Sequence, residues 1–445
     1  MPDFKSIADE IAGEIAGGAL RSGQKLLPLR EFAYRRGIAP STAARVYREL
    51  KRRGLTAGEI GRGTFVLNAP PRTDPPLVDP SVGLIDLELV ASWPEGCEAL
   101  LRSSLRRWAA SPSSEAALRP ISVAGTPQFR EIAAAFLARA KWLPDPAKIL
   151  FAGNGRQAIA AALSTLAKPG ERVGIEAITY PVVKGIAERL GVTLVPLDLD
   201  EQGVSAEAAR EAHQSTRLSA VYFQPTLHSP LGVSMSDLRR REWARLLTDT
   251  GIMAIEDGIY TFLAPEVLPL AALAPDQVIY VDSLSKRVSP GLTVGLLVAP
   301  RSLVQSLSVT LRAGAWSAAG ASVALGCHWM NSGDAQIVME RKRADALARQ
   351  ALAREILGAD RLCADSRALH AWLPLPEPWR GESFAAQALR RGIAVTPGEA
   401  FAVSPGYAPG AVRLALGSPG LEALGSALQT LRDMIGEGME HHEVE

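Results

Sequence analysis

A run of prolines divides this chain into two unequal parts. Residues 69–82, APPRTDPPLVDPSV, contain five prolines. Each fixes φ and removes a backbone donor, so no helix or central strand can run through the segment. Residues 69–83 therefore read as a semi-rigid extended spacer. On one side lies a head, residues 1–68. On the other lies a body, residues 84–445, with a large part at about 140–325 and a C-terminal part at about 330–435.

The two parts differ in charge. The head has 12 Lys/Arg against 7 Asp/Glu, while the remainder has 36 against 40. A small basic module on a mildly acidic body suits nucleic-acid binding by the head. Three cysteines, Cys97, Cys327 and Cys363, form no CxxC and no Cys/His pair at ligand spacing, so neither a disulfide framework nor a metal site is expected. The start, MPDFKSIADEIAGEI, has no apolar h-region. No uninterrupted apolar run reaches the ~18 residues that a spanning helix needs. A soluble cytoplasmic protein without a membrane partner is expected.

In the head, Ile7, Ile11 and Ile15 recur at helical spacing. A short helix around Arg30–Arg36 stops at Gly37, and Pro40-Ser41-Thr42 opens a third helix with Ala43, Val46 and Leu50 inward. Two short helices across a glycine turn form a helix-turn-helix pattern. The run Gly61-Arg62-Gly63-Thr64-Phe65-Val66 reads as the tip and return strand of a wing. The start of a third helix enters the major groove in this arrangement, which makes Ser41, Thr42 and Arg45 candidate DNA contacts. Arg62, between glycines, can reach a phosphate or the minor groove. Arg48, Lys51, Arg52 and Arg53 read as a solvated face.

In the body, short apolar segments alternate with helix-sized stretches, as at Val173–Glu176, Ala220–Gln224, Ile252–Glu256 and Val278–Asp282. This alternation predicts an α/β fold with a mainly parallel sheet and flanking helices, followed by a smaller mixed α/β part. Ligands of such sheets gather at the carboxyl ends of the strands. Four places there have suitable chemistry. Gly153-Asn154-Gly155-Arg156-Gln157 precedes an apolar helix and suits a phosphate. Asp257 with Tyr260, Ser283-Leu284-Ser285-Lys286, and Tyr180 follow three other strands. A phosphate cradle, an acid, a lysine and an aromatic platform are what pyridoxal 5′-phosphate requires. Singly, each has an ordinary reading as loop chemistry or a surface lysine. Their order along one chain is the informative feature.

Two resemblances follow. LPLREFAYRRGIAPSTAARVYRELKRRGLTAGEIGRGTFV resembles the winged helix of GntR-type bacterial regulators, which adds Arg30, Gly63 and Thr64 to the DNA-facing set. Leu27-Pro28 stands where that family usually has Pro-Ser. Pro40 stands where an arginine often sits, removing one possible contact. Residues 84–445 resemble fold-type I aminotransferases through VAGTPQFREIAAAFLAR, FAGNGRQAIAAAL, EAITYPVV, QPTLHSPLG, EDGIY, SLSKRVSPGLTVG and AVRLALG. The resemblance implies Lys286 as the Schiff-base lysine, Asp257 on the pyridine nitrogen and Tyr260 on the ring hydroxyl. It implies Tyr180 stacked on the ring, and Ser283 with the N–H groups of Gly155 and Arg156 on the phosphate. Arg413 becomes the residue that binds a substrate carboxylate. A GntR-type head on an aminotransferase-like body is the layout of the MocR family of transcriptional regulators.

Some positions depart from the aminotransferase pattern. Ser229 replaces the usual asparagine that bonds the ring oxygen, with His228 beside it as a possible substitute. Thr293 replaces an arginine that neutralises the phosphate, a charge that Arg156 could supply. Pro120 or Ile121 takes the place of a tyrosine that reaches the neighbouring subunit. The resulting expectation is a DNA-binding homodimer that senses an amino compound, or pyridoxal phosphate itself, through aldimine exchange at Lys286. The alternatives are a working aminotransferase with an accessory head, and a DNA-binding dimer whose body no longer binds cofactor.

Overall fold

The computed structural model describes residues 4–16, 19–20, 24–52, 55–59, 63–66, 84–377, 379–404 and 410–440. Arg62 and the spacer 69–83 lie outside the described residues.

The head contains the three expected helices, Phe4–Ala16, Leu29–Arg36 and Pro40–Arg52. Ile7, Ile11 and Ile15 pack with Phe32, Ala43, Val46 and Leu50 in one small core. The second helix ends because Gly37 takes a left-handed φ of 62°, from which its N–H caps Ala33 and Tyr34. That conformation favours glycine and sets the angle at which the third helix starts. Strands Thr56–Glu59 and Gly63–Val66 pair antiparallel, forming the body of the wing.

The body is built on seven strands: β1 (Ile149–Ala152), β2 (Arg172–Glu176), β3 (Thr193–Leu197), β4 (Ala220–Phe223), β5 (Met253–Asp257), β6 (Val278–Ser283) and β7 (Gly295–Val298). Their order across the sheet is β1-β7-β6-β5-β4-β2-β3. Only β7 runs against its neighbours; the pairs among β2 to β6 are parallel. β4, β6 and β7 are buried throughout, as expected of strands covered on both faces. Period-two alternation splits their side chains between two cores. Phe223 and Tyr280 face the core that holds Trp243, while Tyr222 and Ile279 face the one that holds the helix Gly155–Leu166.

The long helix Asp334–Leu357 leads to a second, smaller sheet of His370–Pro374, Ala411–Ala415, Ile393–Pro397 and Ile85–Leu87. The last of these, a strand the sequence does not announce, pairs parallel to Ile393–Val395. It carries the start of the body into the C-terminal sheet. Among the described residues no helix is long and apolar enough to cross a membrane.

Candidate functional site

The carboxyl ends of β1, β2, β5 and β6 bring the expected residues together. β1 ends at Ala152, and the turn Gly153-Asn154 leads directly into the helix Gly155–Leu166, three residues earlier than the apolar run suggests. The Asn154 side chain accepts the Gln157 N–H at 2.9 Å and caps this helix. Gly155 and Arg156 thus occupy its first turn, where N–H groups lack intrahelical partners. The turn approaches its neighbours closely. A Cβ on Gly295 would lie 2.4 Å from the Asn154 carbonyl, and one on Gly155 would lie 3.3 Å from the Ser283 Cβ. Ser283 caps the short helix Leu284–Arg287, and its Oγ donates to the Ser285 Oγ at 3.1 Å. Ser285, named in the sequence only as part of the lysine segment, lies with Ser283 beside the Gly153–Arg156 turn. The S-x-S-K spacing was the available signal.

Asp257 ends β5 and is buried. Its Oδ2 accepts the Tyr222 hydroxyl at 2.7 Å and the Gln224 amide at 2.9 Å, and its Oδ1 accepts the Ile259 N–H at 3.1 Å. All three donors are neutral. Burial therefore raises the Asp257 carboxyl to about 6, although the three hydrogen bonds oppose the rise. Gln224 also accepts the Ser229 N–H at 3.0 Å, which ties the Ser229 loop to the acid. Tyr222 and Gln224 were not anticipated, since an apolar strand does not reveal which side chains point to its carboxyl end.

Lys286 lies on the short helix after β6, and its Nζ donates to the Val90 carbonyl. Burial, then the charges of Arg413, Lys342 and Arg156, lower the lysine to about 7. Tyr260 is buried and its ring lies 5.3 Å from that of His370. Burial holds the Tyr260 phenol above its usual range, and a fully buried site pushes His370 down to about 3. Tyr180 precedes the helix Pro181–Arg189, and its hydroxyl accepts the Arg156 Nε at 3.3 Å. Arg413 donates to the Thr396 hydroxyl at 2.9 Å and to the Glu88 carbonyl, while its buried Nε has no partner.

His228 does not take over from the missing asparagine. Its Nε2 lies 3.2 Å from Glu176 Oε2, out of line for a hydrogen bond but committed to that buried carboxylate. Ser229 Oγ is buried beside the Tyr260 hydroxyl and makes no well-formed hydrogen bond. Thr293 is exposed. The segment at 88–90, whose carbonyls meet Arg413 and Lys286, was also missed, because backbone acceptors leave no trace in side-chain patterns.

These residues fit pyridoxal 5′-phosphate. A buried carboxylate with only neutral donors suits a protonated ring nitrogen, the buried Ser229 Oγ and Tyr260 suit a ring hydroxyl, and the close-approach turn with Ser283 and Ser285 suits the phosphate.

On the head, Arg30, Ser41 and Arg45 are exposed and Thr42 and Thr64 half-buried. The Arg45 guanidinium also lies 4.1 Å from the Phe4 ring centroid. Gly63 begins the return strand of the wing.

Residues 105–425 match the family described as aminotransferase class I and II. The HTH-type transcriptional regulator YdeF of Bacillus subtilis (strain 168) is 28% identical over 440 residues, covering 98% of this chain and 95% of that protein. The HTH-type pyridoxine biosynthesis transcriptional regulator PdxR of Corynebacterium glutamicum is 24% identical over 326 residues, covering 69% of this chain and 68% of that one. An archaeal alanine:glyoxylate aminotransferase superposes with a TM-score of 0.73 at 23% identity, over 80% of this chain and 92% of that chain. The last similarity concerns the fold alone. The relative that shares nearly the full length is thus named as an HTH-type transcriptional regulator.

Proposed function

Because the chain belongs to the aminotransferase class I and II family, whose cofactor is pyridoxal 5′-phosphate, we propose that it is a DNA-binding transcriptional regulator whose body senses an amino compound or the cofactor itself at Lys286. Bound, the cofactor supplies an electrophilic carbon to which an amine attaches. Lys286 Nζ would hold the cofactor at that carbon; at about 7, its amine is free of a proton in a large fraction of molecules near neutral pH. Asp257 keeps a proton on the ring nitrogen. Tyr260 and Ser229 would bind the ring hydroxyl, and Tyr180 would support the ring. Gly155, Arg156, Ser283 and Ser285 hold the phosphate, and Arg413 receives the ligand's carboxylate through its planar fork.

The observation that carries this reading is the Lys286 contact with the Val90 carbonyl, beside Arg413 on the Glu88 carbonyl. Lys286 would leave Val90 on holding the cofactor and would be freed again by an amino acid, whose carboxylate would compete with the Glu88 carbonyl for Arg413, so both contacts report on the ligand at the segment that follows the spacer. Arg30, Ser41, Thr42, Arg45, Arg62, Gly63 and Thr64 face DNA, and a homodimer presents paired heads to paired half-sites. The affinity for DNA falls steeply with salt.

The test compares the visible absorbance of wild type and Lys286→Ala with added cofactor. A band present only in wild type, shifted by a particular amine that also changes operator binding, supports the reading. Steady turnover of amino acids with no effect on DNA binding would favour a working aminotransferase instead. A colourless wild type would leave the body as a dimerisation scaffold.

A further inference from the structure

Behind the strands that carry Asp257 and Lys286 lies a second polar region that the cofactor site does not use. A cavity of about 190 Å³ is bounded there by Arg139, Arg287, Arg343, Thr261, Phe262 and Met339, among others. No residue of the cofactor cradle lines it, and among the described residues no carboxylate does. Three guanidinium groups face one small space, and each has donors left over.

Arg287 directs Nε and Nη2 to Asp282, at 2.9 and 2.5 Å, but its Nη1 meets only the Met339 sulfur at 3.6 Å. Arg139 is 9% exposed and its guanidinium lies against the Trp142 and Tyr280 rings, 5.1 and 4.8 Å from their centroids, while the rings meet edge-on. Its Nη1 donates to the Tyr280 hydroxyl at 3.1 Å, and its Nε and Nη2 have no partner. Arg343 donates through Nε to the Phe262 carbonyl at 2.7 Å.

The carboxylates nearby stay outside the cavity lining and keep their hydrogen bonds for other groups, although Glu256 acts on Arg139, and Glu340 and Glu266 on Arg343, through space. Asp282 also accepts the Tyr280 hydroxyl and the Ser283 N–H, both at 2.7 Å. Glu256 is held by the Leu270 and Ala271 amides. Glu340 accepts from Gln336 at 3.0 Å, and Glu266 pairs with Arg367. Positive charge with unused donors, shielded from water by two aromatic rings, calls for an anion with several oxygen acceptors.

We propose that this cavity binds a small oxyanion, a carboxylate or phosphate group, with Arg139 as its main donor and Arg287 and Arg343 completing the clamp. The planar guanidinium fork matches such a group in two-point fashion. The site is coupled to the cofactor side through the chain itself, because Arg287 follows Lys286 and Thr261 follows Tyr260. The inference does not depend on the regulatory reading.

The test is calorimetric titration of the full chain saturated with pyridoxal phosphate, so that the phosphate turn is already filled. Inorganic phosphate and malonate are titrated separately. Either anion should bind, phosphate alone pointing to a phosphoryl ligand and malonate alone to a carboxylate. Arg139→Gln should weaken binding at least about tenfold, the loss of a charge-assisted pair of hydrogen bonds. Arg343→Gln should weaken it less, and Arg301→Gln, an exposed arginine outside both sites, should leave it unchanged; malonate held at Arg413 counts as a second site, which Arg413→Lys removes. Should Arg139→Gln fail to fold, the half-buried Arg343 carries the test alone. No heat from either anion at about 10 mM, far above a useful affinity, overturns the proposal. So does phosphate binding that survives both Arg139→Gln and Arg343→Gln, or malonate binding that does so in a chain carrying Arg413→Lys.

Discussion

Two buried carboxylates stand near the ends of adjacent parallel strands, and they are solvated in opposite ways. Asp257, at the end of β5, accepts only neutral donors: a phenol, an amide side chain and a backbone N–H. Asp282, near the end of β6, is clamped by both Nε and Nη2 of Arg287. The first is a negative charge in search of a cation. The second is already paired. A fold can bury either arrangement, but only the first leaves a ligand something to neutralise, so the sign of the imbalance identifies the partner. The protonated ring nitrogen of pyridoxal phosphate meets that description at Asp257. The leftover arginine donors behind Asp282 require the opposite sign.

The largest effect should come from breaking the closed pair. Arg287→Met leaves Asp282 buried without its cation, and removal of one partner from a buried ion pair costs about 3–5 kcal/mol. Denaturant unfolding of the cofactor-free protein should register a loss of that size. A loss under about 1 kcal/mol, the scale of an exposed pair, would mean that Asp282 is no more committed than Asp257, and the contrast between them would collapse.

The next effect should fall on ligand binding. Asp257→Asn keeps the shape but removes the charge, and a hydrogen bond to a charged group contributes about 1.5–3 kcal/mol. Cofactor affinity, followed by the visible band, should fall on the order of 10- to 100-fold, while unfolding of the cofactor-free protein changes little or even improves. The reverse pattern, an unchanged affinity with a large stability loss, would make Asp257 a second structural acid.

The contrast also marks what the sequence could and could not tell. Asp257, Lys286, Ser283 and the Gly155 turn were legible because each directly follows an apolar run, and a parallel sheet places such positions at one edge. Tyr222 and Gln224 were not, because they reach Asp257 from the neighbouring strand and only register identifies them. The carbonyls of Glu88 and Val90 offered no signal, and the strand Ile85–Leu87 that aligns them is three residues long. The arginine cavity draws Arg139, Arg287 and Arg343 from three distant elements, so nothing local connects them. His228 was a misleading neighbour, since its ring turns to Glu176 rather than to the gap left at Ser229.

Lys286 directly precedes Arg287 on the short helix after β6, and its titration tests how strongly the site is desolvated. Its folded value of about 7 stands below the ordinary 10.5 of lysine. Between those values the unfolded chain binds more protons than the folded one, so stability of the cofactor-free protein rises with pH across that window. Below pH 7 both states are protonated and the ammonium is held at full cost, offset by the Val90 carbonyl. Lys286→Met removes the group that titrates. The variant should therefore gain on wild type by on the order of 1 kcal/mol at pH 6, with the gain shrinking as pH rises above 7. The comparison is read from denaturant midpoints across pH. A difference between the two proteins that stays flat from pH 6 to 10 would mean that Lys286 is solvated much as on a surface.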